Sequence, residues 1–74
     1  MILKKEILEA KGFEFAREHG YKNHVKVYYN EKFTLTYLSI PEEIKIESEL
    51  YGVLYRGKIT SLNDFEHIIM MLID

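Results

Sequence analysis

Cysteine is absent from the 74 residues of this chain. The sequence therefore offers no disulfide framework, no thiolate metal site and no cysteine nucleophile. Long apolar runs are also missing, because the longest, Ile68 to Ile73, is far shorter than the roughly 20 residues that span a bilayer. Charged residues interrupt the first residues from Lys4 onwards, unlike the apolar stretch of a signal peptide. We expect a cytoplasmic chain with no membrane association.

A surplus of positive charge is missing as well, since the formal net charge is −2 at pH 7. Proteins that bind duplex DNA gain affinity by neutralising phosphates, so a protein partner is favoured over nucleic acid. The apolar fraction of 47% is typical of a folded chain, and the length predicts a single domain over residues 1–74. A chain this short buries only roughly 60% of its unfolded surface. We therefore expect a homo-oligomer or another protein partner.

A short helix is predicted near the amino terminus, over Ile2 to Lys11, where good helix formers precede a glycine. Its apolar stripe consists of Leu3, Ile7 and Ala10. After Gly12 the pattern changes to an alternation from Phe13 to Glu18, which favours a first strand. The alternative is a longer helix that runs on to Gly20.

The middle of the chain is rich in alternating, β-favouring residues. The segments His24 to Tyr29 and Phe33 to Leu38 flank the short polar break Asn30 to Lys32, which predicts an antiparallel hairpin. Pro41, the single proline, marks a loop. Two further strands are predicted around residues 44–47 and over Tyr51 to Arg56.

The last predicted element is a helix that starts after Ser61. Ser61 and Asp64 have the spacing of a capping box, in which the serine oxygen accepts from the Asp64 amide and the carboxylate reaches back. The apolar stripe of this helix comprises Leu62, Phe65, Ile68, Ile69, Leu72 and Ile73. We therefore predict an α+β fold: a short N-terminal helix, an antiparallel sheet of about four to five strands, and a C-terminal helix on the same sheet face.

One segment near the carboxyl terminus carries a resemblance to other proteins. Its residues are Gly57, Lys58, Ile59, Thr60, Ser61, Leu62, Asn63, Asp64 and Phe65, followed by Ile68, Ile69 and Leu72. Together with the preceding helix, Gly-Phe step and run of strands, this ending is similar to small uncharacterised α+β proteins of bacterial genomes and mobile elements. The resemblance implies a bacterial protein of this fold and carries over no catalytic residue.

A near match to a nucleotide phosphate loop occurs at Gly52 to Lys58. That motif needs a serine or threonine after its lysine and a bent backbone before a helix. Here Ile59 follows the lysine, and the residues between Gly52 and Gly57 are bulky and strand-like. We interpret the segment as a strand that leads into a turn.

Other groups with chemical potential are scattered along the chain. The histidines His19, His24 and His67 have no tight metal-ligand spacing and are interpreted as surface residues. The glutamates Glu42, Glu43, Glu47 and Glu49 are interpreted as charges that keep a sheet edge soluble. The sequence predicts no cofactor, no metal and no catalytic residue, and hence a protein that is not an enzyme.

Surplus apolar area gives the leading functional hypothesis. Met70 and Met71 fall away from the main stripe of the last helix, and six tyrosines add area of the kind enriched at interfaces. We predict a non-enzymatic protein-interaction module that forms a homodimer, with candidate interface residues Met70, Met71, Tyr51 and Tyr55. The alternative for the methionines is a fraying carboxyl terminus.

Nucleic-acid binding is the second hypothesis. The sheet face opposite the helices is predicted to carry His24, Lys26, Tyr28, Thr34, Thr36, Lys45, Leu54 and Arg56. A mixed basic and aromatic face can stack and screen single-stranded nucleic acid, although the paired aromatics of RNA-recognition sheets are missing. The candidate residues are Lys22, Lys26, Tyr28 and Arg56.

Overall fold

The computed structural model describes residues 1–73. Within that range the elements follow in the order α1 (Lys5–Ala10), β1 (Glu14–His19), a 3₁₀ turn (Tyr21–Asn23), β2 (Val25–Tyr29), β3 (Thr34–Leu38), β4 (Glu43–Ser48), β5 (Gly52–Lys58) and α2 (Leu62–Ile73). The strands pair with their chain neighbours in one antiparallel sheet of order β1-β2-β3-β4-β5. Leu3, Leu8 and the buried residues of α2 share one apolar cluster with the sheet, so the two helices cover the same face. The predicted α+β fold is confirmed.

Helix α1 is shorter than predicted and presents a different stripe. Lys4 is still extended, so Leu3 enters the core from the segment before the helix. The helix stops at Gly12, whose φ of +90° suits glycine and lets the Phe13 amide donate to the Leu8 carbonyl at 3.0 Å. The stop before Gly12 is confirmed, and the longer helix to Gly20 is wrong. The predicted stripe is wrong in part, because Leu8 is buried and Ala10 is exposed.

The β2–β3 hairpin closes where the polar break was predicted. The Asn30 side-chain oxygen accepts from the Lys32 amide at 2.9 Å and the Phe33 amide at 2.8 Å. The Asn30 amide in turn donates to the Phe33 carbonyl at 2.9 Å. Asparagine favours such turns because its side chain satisfies backbone amides locally. This turn sets the register that pairs Tyr28 with Leu35.

That register overturns the predicted faces of β2. Residues directly opposite each other in an antiparallel pair lie on the same sheet face, so Tyr28 shares the helix side with Leu35. Tyr28 is 2% exposed and belongs to the core cluster. Val27 lies on the other side, opposite Thr36. The prediction that placed Tyr28 and Lys26 on the outer face is therefore wrong.

Two irregularities change which side chains reach each face. In β1 the register shifts between Phe15 and Arg17, so Phe15 lies opposite Tyr28 while Arg17 lies opposite Val27. A similar shift places Val53 rather than Leu54 opposite Glu47 in the β4–β5 pair. Such β-bulges add an unpaired residue and reverse the facing of the residues beyond it. Leu54, predicted on the outer face, is the unpaired residue of the second bulge.

Helix α2 begins as the sequence predicts. The Ser61 hydroxyl oxygen accepts from the Asp64 amide at 3.2 Å, and the Asp64 carboxylate accepts from the Thr60 amide at 2.9 Å and from the Thr60 hydroxyl. The carboxylate thus reaches back to Thr60, one residue before the serine. These bonds hold the pKa of Asp64 below its usual value, chiefly through the Thr60 hydroxyl. The buried stripe contains Phe65, Ile68 and Ile69, with Leu62 and Leu72 packed against it; the side chain of Ile73 lies outside the described part.

Candidate functional site

The exposed side of α2 holds two of the predicted interface residues. Met70 is 62% exposed and Met71 is 69% exposed, although both lie on a helix whose neighbouring residues Ile68 and Ile69 are buried. Exposed methionines are adaptable apolar contacts and are enriched at interfaces. The helix therefore offers apolar area that the core does not use.

The most exposed residues on this side of α2 are uncharged, and the partly exposed Asp64 and Glu66 lie at its borders. Its exposed positions are Asn63, His67, Met70 and Met71. Helix α1 differs, because its exposed positions include Lys5, Glu6 and Glu9, the usual composition of a solvated helix face. We refer to Asn63, His67, Met70 and Met71 as the α2 surface.

The predicted tyrosines of the interface lie elsewhere and differ from each other. Tyr51 is in the β4–β5 turn and is 75% exposed beside the exposed Leu50. Both line a groove of about 440 Å³ between this turn and the β2–β3 turn. Tyr55 points to the helix side of β5, where it is half-buried and packs against the core. Tyr55 thus stabilises the fold, and of these two tyrosines Tyr51 is the one exposed at the surface.

The sheet face away from the helices is uncovered by any element of the described chain. We call it the open face. Its residues, read across the five strands, form three rows: Arg17, Val27, Thr36, Lys45 and Arg56 in the middle; His19, Val25, Leu38, Glu43 and Lys58 on one side; and Glu14, Tyr29, Thr34, Glu47 and Val53 on the other. The predicted positions of Thr34, Thr36, Lys45 and Arg56 on this face agree with the observed register.

The central row of the open face, from Arg17 to Arg56, is its most distinctive feature. It contains three cations and no acid, with Val27 and Thr36 between Arg17 and Lys45. In the described sheet the open face holds four of the ten Lys and Arg residues but three of the twelve acidic ones, so its formal charge is +1 in a chain of charge −2. Lys45 makes an ion pair with Glu47 at 3.5 Å. Charge is therefore segregated towards this face.

The residues predicted for a nucleic-acid face are not brought together. Tyr28 is buried in the core, and Lys26 lies on the helix side, where its ammonium donates to Glu18 at 3.1 Å and to the Asn23 carbonyl at 2.9 Å. Lys22 lies in the 3₁₀ turn, with its ammonium 5.5 Å from the centroid of its neighbour's ring, Tyr21. Arg56 alone of the four lies on the open face. The predicted set is therefore wrong as a single surface.

Residues considered for catalysis or metal binding remain apart. His19 ends β1, His24 contacts the Tyr21 carbonyl through Nδ1 at 2.9 Å, and His67 is exposed on α2. Among residues 1–73 there is no group of three or more His, Asp or Glu side chains that could hold a metal ion. The near match to a phosphate loop is strand β5 itself, so its backbone does not form a phosphate cradle. Glu43 and Glu47 lie on the open face beside Lys45, on β4, which is an inner strand. Their interpretation as charges at a sheet edge is therefore wrong.

A polar network that sequence reasoning missed lies at the other end of the sheet from the β2–β3 turn. The Tyr37 hydroxyl accepts from the amides of Ile2 at 3.1 Å and Leu3 at 3.3 Å and donates to Glu42. Glu42 also accepts from the Ile2 amide at 3.1 Å and lies 3.7 Å from the terminal amine of Met1. Burial, aided by the bond to Glu42, raises the pKa of Tyr37 well above its usual value. Since Tyr37 is 0% exposed, its hydroxyl serves to anchor the amino-terminal segment.

Comparison of the chain with protein-family models, with curated proteins and with solved structures found no match in any of the three. Neither helix of the described residues is long and apolar enough to cross a membrane.

Proposed function

We propose that this chain is a cytoplasmic, non-enzymatic protein-interaction module that associates with a second copy of itself through the α2 surface. The observation that carries the proposal is the exposure of two methionines on α2, 62% for Met70 and 69% for Met71, which the core does not use. The lack of cysteine fits a reducing compartment.

A second copy is a suitable occupant because the α2 surface is compatible with itself. In a two-fold dimer the same surface is used on both subunits, so every charge in it meets its own equivalent or a near neighbour. Asn63, Met70 and Met71 are uncharged side chains. Two copies of this surface can pack these residues together and remove the methionines from water, with Asp64 and Glu66 left at the border.

The protomer is a folded unit before it associates. Its radius of gyration is 11.3 Å, and about 11 Å is expected for a compact chain of this length. The core cluster is complete within one copy and contains residues of both helices. Association therefore adds to a finished fold, and a substitution on the α2 surface is expected to change association and leave the fold intact.

The test is light scattering across a dilution series of the wild-type protein and of Met71→Asp. The wild type is expected to associate reversibly in a range from about 1 µM to 1 mM, the affinity of a small apolar contact. Met71→Asp places a charge opposite its own equivalent and is expected to be monomeric, with an unchanged circular dichroism spectrum.

The matched control is Tyr21→Asp, which adds the same charge at an equally exposed aromatic position in the 3₁₀ turn. It is expected to associate like the wild type. Monomers of the wild type throughout the range, or equal loss of association in both variants, would contradict the proposal.

A further inference from the structure

The open face is separate from the α2 surface, because the sheet lies between them. We infer that the open face binds an acidic, amphipathic segment of a partner protein, laid across the strands along the central row. This inference goes beyond self-association and uses different residues.

The charges of the central row favour an acidic occupant. Arg17 and Arg56 lie at the two ends of the central row and are exposed, and Lys45 lies between them. The row holds three cations in a chain whose net charge is −2; Lys45 is ion-paired with Glu47, so Arg17 and Arg56 are the cations that an occupant meets first. Complementary charges across an interface favour correct partners and accelerate association. An occupant with carboxylates in matching positions is thus favoured.

A second copy of this chain does not fit the open face in aligned packing, the arrangement common to two stacked sheets. A two-fold axis along the strands places β1 of one copy over β5 of the other, so Arg17 faces Arg56. An axis across the strands lays the central row on itself, so Lys45 faces Lys45. Either arrangement brings cations together in an area shielded from water, which disfavours pairing.

Apolar side chains lie beside the cations on the open face. Val25 and Leu38 lie opposite each other on the adjacent inner strands β2 and β3, in the row next to the cations, and both are half-buried. Val27, in the central row, is 4% exposed and adds no further apolar area. A partner that covers this part of the face needs apolar side chains as well as carboxylates. An amphipathic helix has apolar side chains along one side and can carry carboxylates along the edges of that side.

Nucleic acid matches the face less well. Bases bind open sheets mainly by stacking on aromatic side chains, and Tyr29 is the one aromatic residue among the rows described for this face. Single-strand binders stack successive bases on several aromatic side chains, and one tyrosine in these rows supplies one such position.

The dimensions set the length of the occupant. Neighbouring strands are about 4.8 Å apart, so the central row spans roughly 19 Å from β1 to β5. A helix rises about 1.5 Å per residue, and roughly 13 residues cover that distance. A helical segment of three to four turns would therefore reach from Arg17 to Arg56.

The experiment uses a labelled synthetic peptide of about 18 residues, long enough to exceed the row, with leucines on one face bordered by glutamates. Two further probes are the same peptide with lysine in place of glutamate and a single-stranded oligothymidylate. Binding to the full chain is measured by fluorescence anisotropy at two salt concentrations. The glutamate peptide is expected to bind, more weakly at higher salt, and the lysine peptide is not.

The decisive variant combines Arg17→Glu with Arg56→Glu, and its matched control combines Lys4→Glu with Lys32→Glu, exposed positions outside the open face. Both change the net charge equally. The first is expected to weaken binding of the glutamate peptide by at least about tenfold, and the control to stay within about twofold. Arg17→Gln with Arg56→Gln supplies a milder version if the charge reversal impairs folding, and an intermediate loss is expected.

Three outcomes would overturn the inference: no binding of the glutamate peptide, equal weakening by the decisive and control variants, or tighter binding of the oligothymidylate that depends on Arg17 and Arg56. The last would identify a nucleic-acid surface. Met71→Asp is expected to leave peptide binding unchanged, so failure of self-association and failure of this inference are distinguishable.

Discussion

The buried hydroxyl of Tyr37 provides a sharp test of how the amino-terminal segment is held. Tyr37→Phe removes one oxygen and keeps the ring. That oxygen accepts from the amides of Ile2 and Leu3 and donates to Glu42. After the change the Ile2 amide still has Glu42 as a partner at 3.1 Å. The Leu3 amide loses its described acceptor in a residue that is 0% exposed.

The magnitude follows from these partners. A buried amide left without an acceptor costs about 1–3 kcal/mol, and the lost bond to the partly exposed Glu42 adds about 1 kcal/mol. The expected loss is thus about 2–4 kcal/mol. A chain of this length has a total stability of roughly 4–11 kcal/mol. The substitution is therefore expected to lower the melting temperature by roughly 10–30 °C.

The assay is thermal and urea unfolding followed by circular dichroism, with Tyr51→Phe as the control. The Tyr51 ring is exposed, so its hydroxyl is expected to contribute less than about 0.5 kcal/mol. If Tyr37→Phe unfolds within 0.5 kcal/mol of the wild type, taken as about the resolution of such comparisons, the network does not stabilise the fold and the reasoning is refuted.

Three further predictions concern the same scaffold. Ser61→Ala removes the acceptor for the Asp64 amide and should cost about 1 kcal/mol in urea unfolding; no change would show that Asp64 and Thr60 suffice as the cap. The folded chain raises the pKa of Tyr37 above its ordinary value of 10.0. The stability that the Tyr37 hydroxyl contributes should therefore be complete below about pH 10 and decline as the pH rises further. Tyr37→Phe should accordingly lose less melting temperature than the wild type at alkaline pH. Tyr28→Ala should cost about 3 kcal/mol or more, and Tyr29→Ala less than about 1 kcal/mol; the reverse order would contradict the observed faces of β2.

Much of the fold could be predicted because local signals agree with it. Gly12 ends α1, Asn30 closes the hairpin and Ser61 caps α2, each through hydrogen bonds made within a few residues. Such signals depend little on distant parts of the chain. They determine where elements begin and end.

The facing of β2 could not be predicted because the strand has apolar residues on both sides. Val25 and Val27 are on one side and Tyr28 on the other, and the valine side is the more regular pattern. Long-range packing places Tyr28 on the helix side, where its ring contacts Phe15 edge-on with centroids 5.4 Å apart. Lys26 follows Tyr28 to the helix side and extends its ammonium to Glu18, as long basic side chains commonly do.

Local sequence signals predicted one candidate surface and missed the other. Met70 and Met71 were predictable because the helical period alone places them away from the buried stripe. The cation row was not, because a bulge in β1 turns Arg17 to the open face although Phe15, two residues earlier, faces the helices. A strict alternation puts both on one side, and no local signal in the sequence marks the bulge.

The central claim is that this chain associates with itself through the α2 surface. Sedimentation equilibrium of the wild-type protein at several concentrations tests it most directly. The mean molar mass is predicted to rise with concentration from the 8.8 kDa of one chain towards twice that value, and to stay at the monomer mass in Met71→Asp. A wild-type mass that stays at one chain at every concentration would contradict the account.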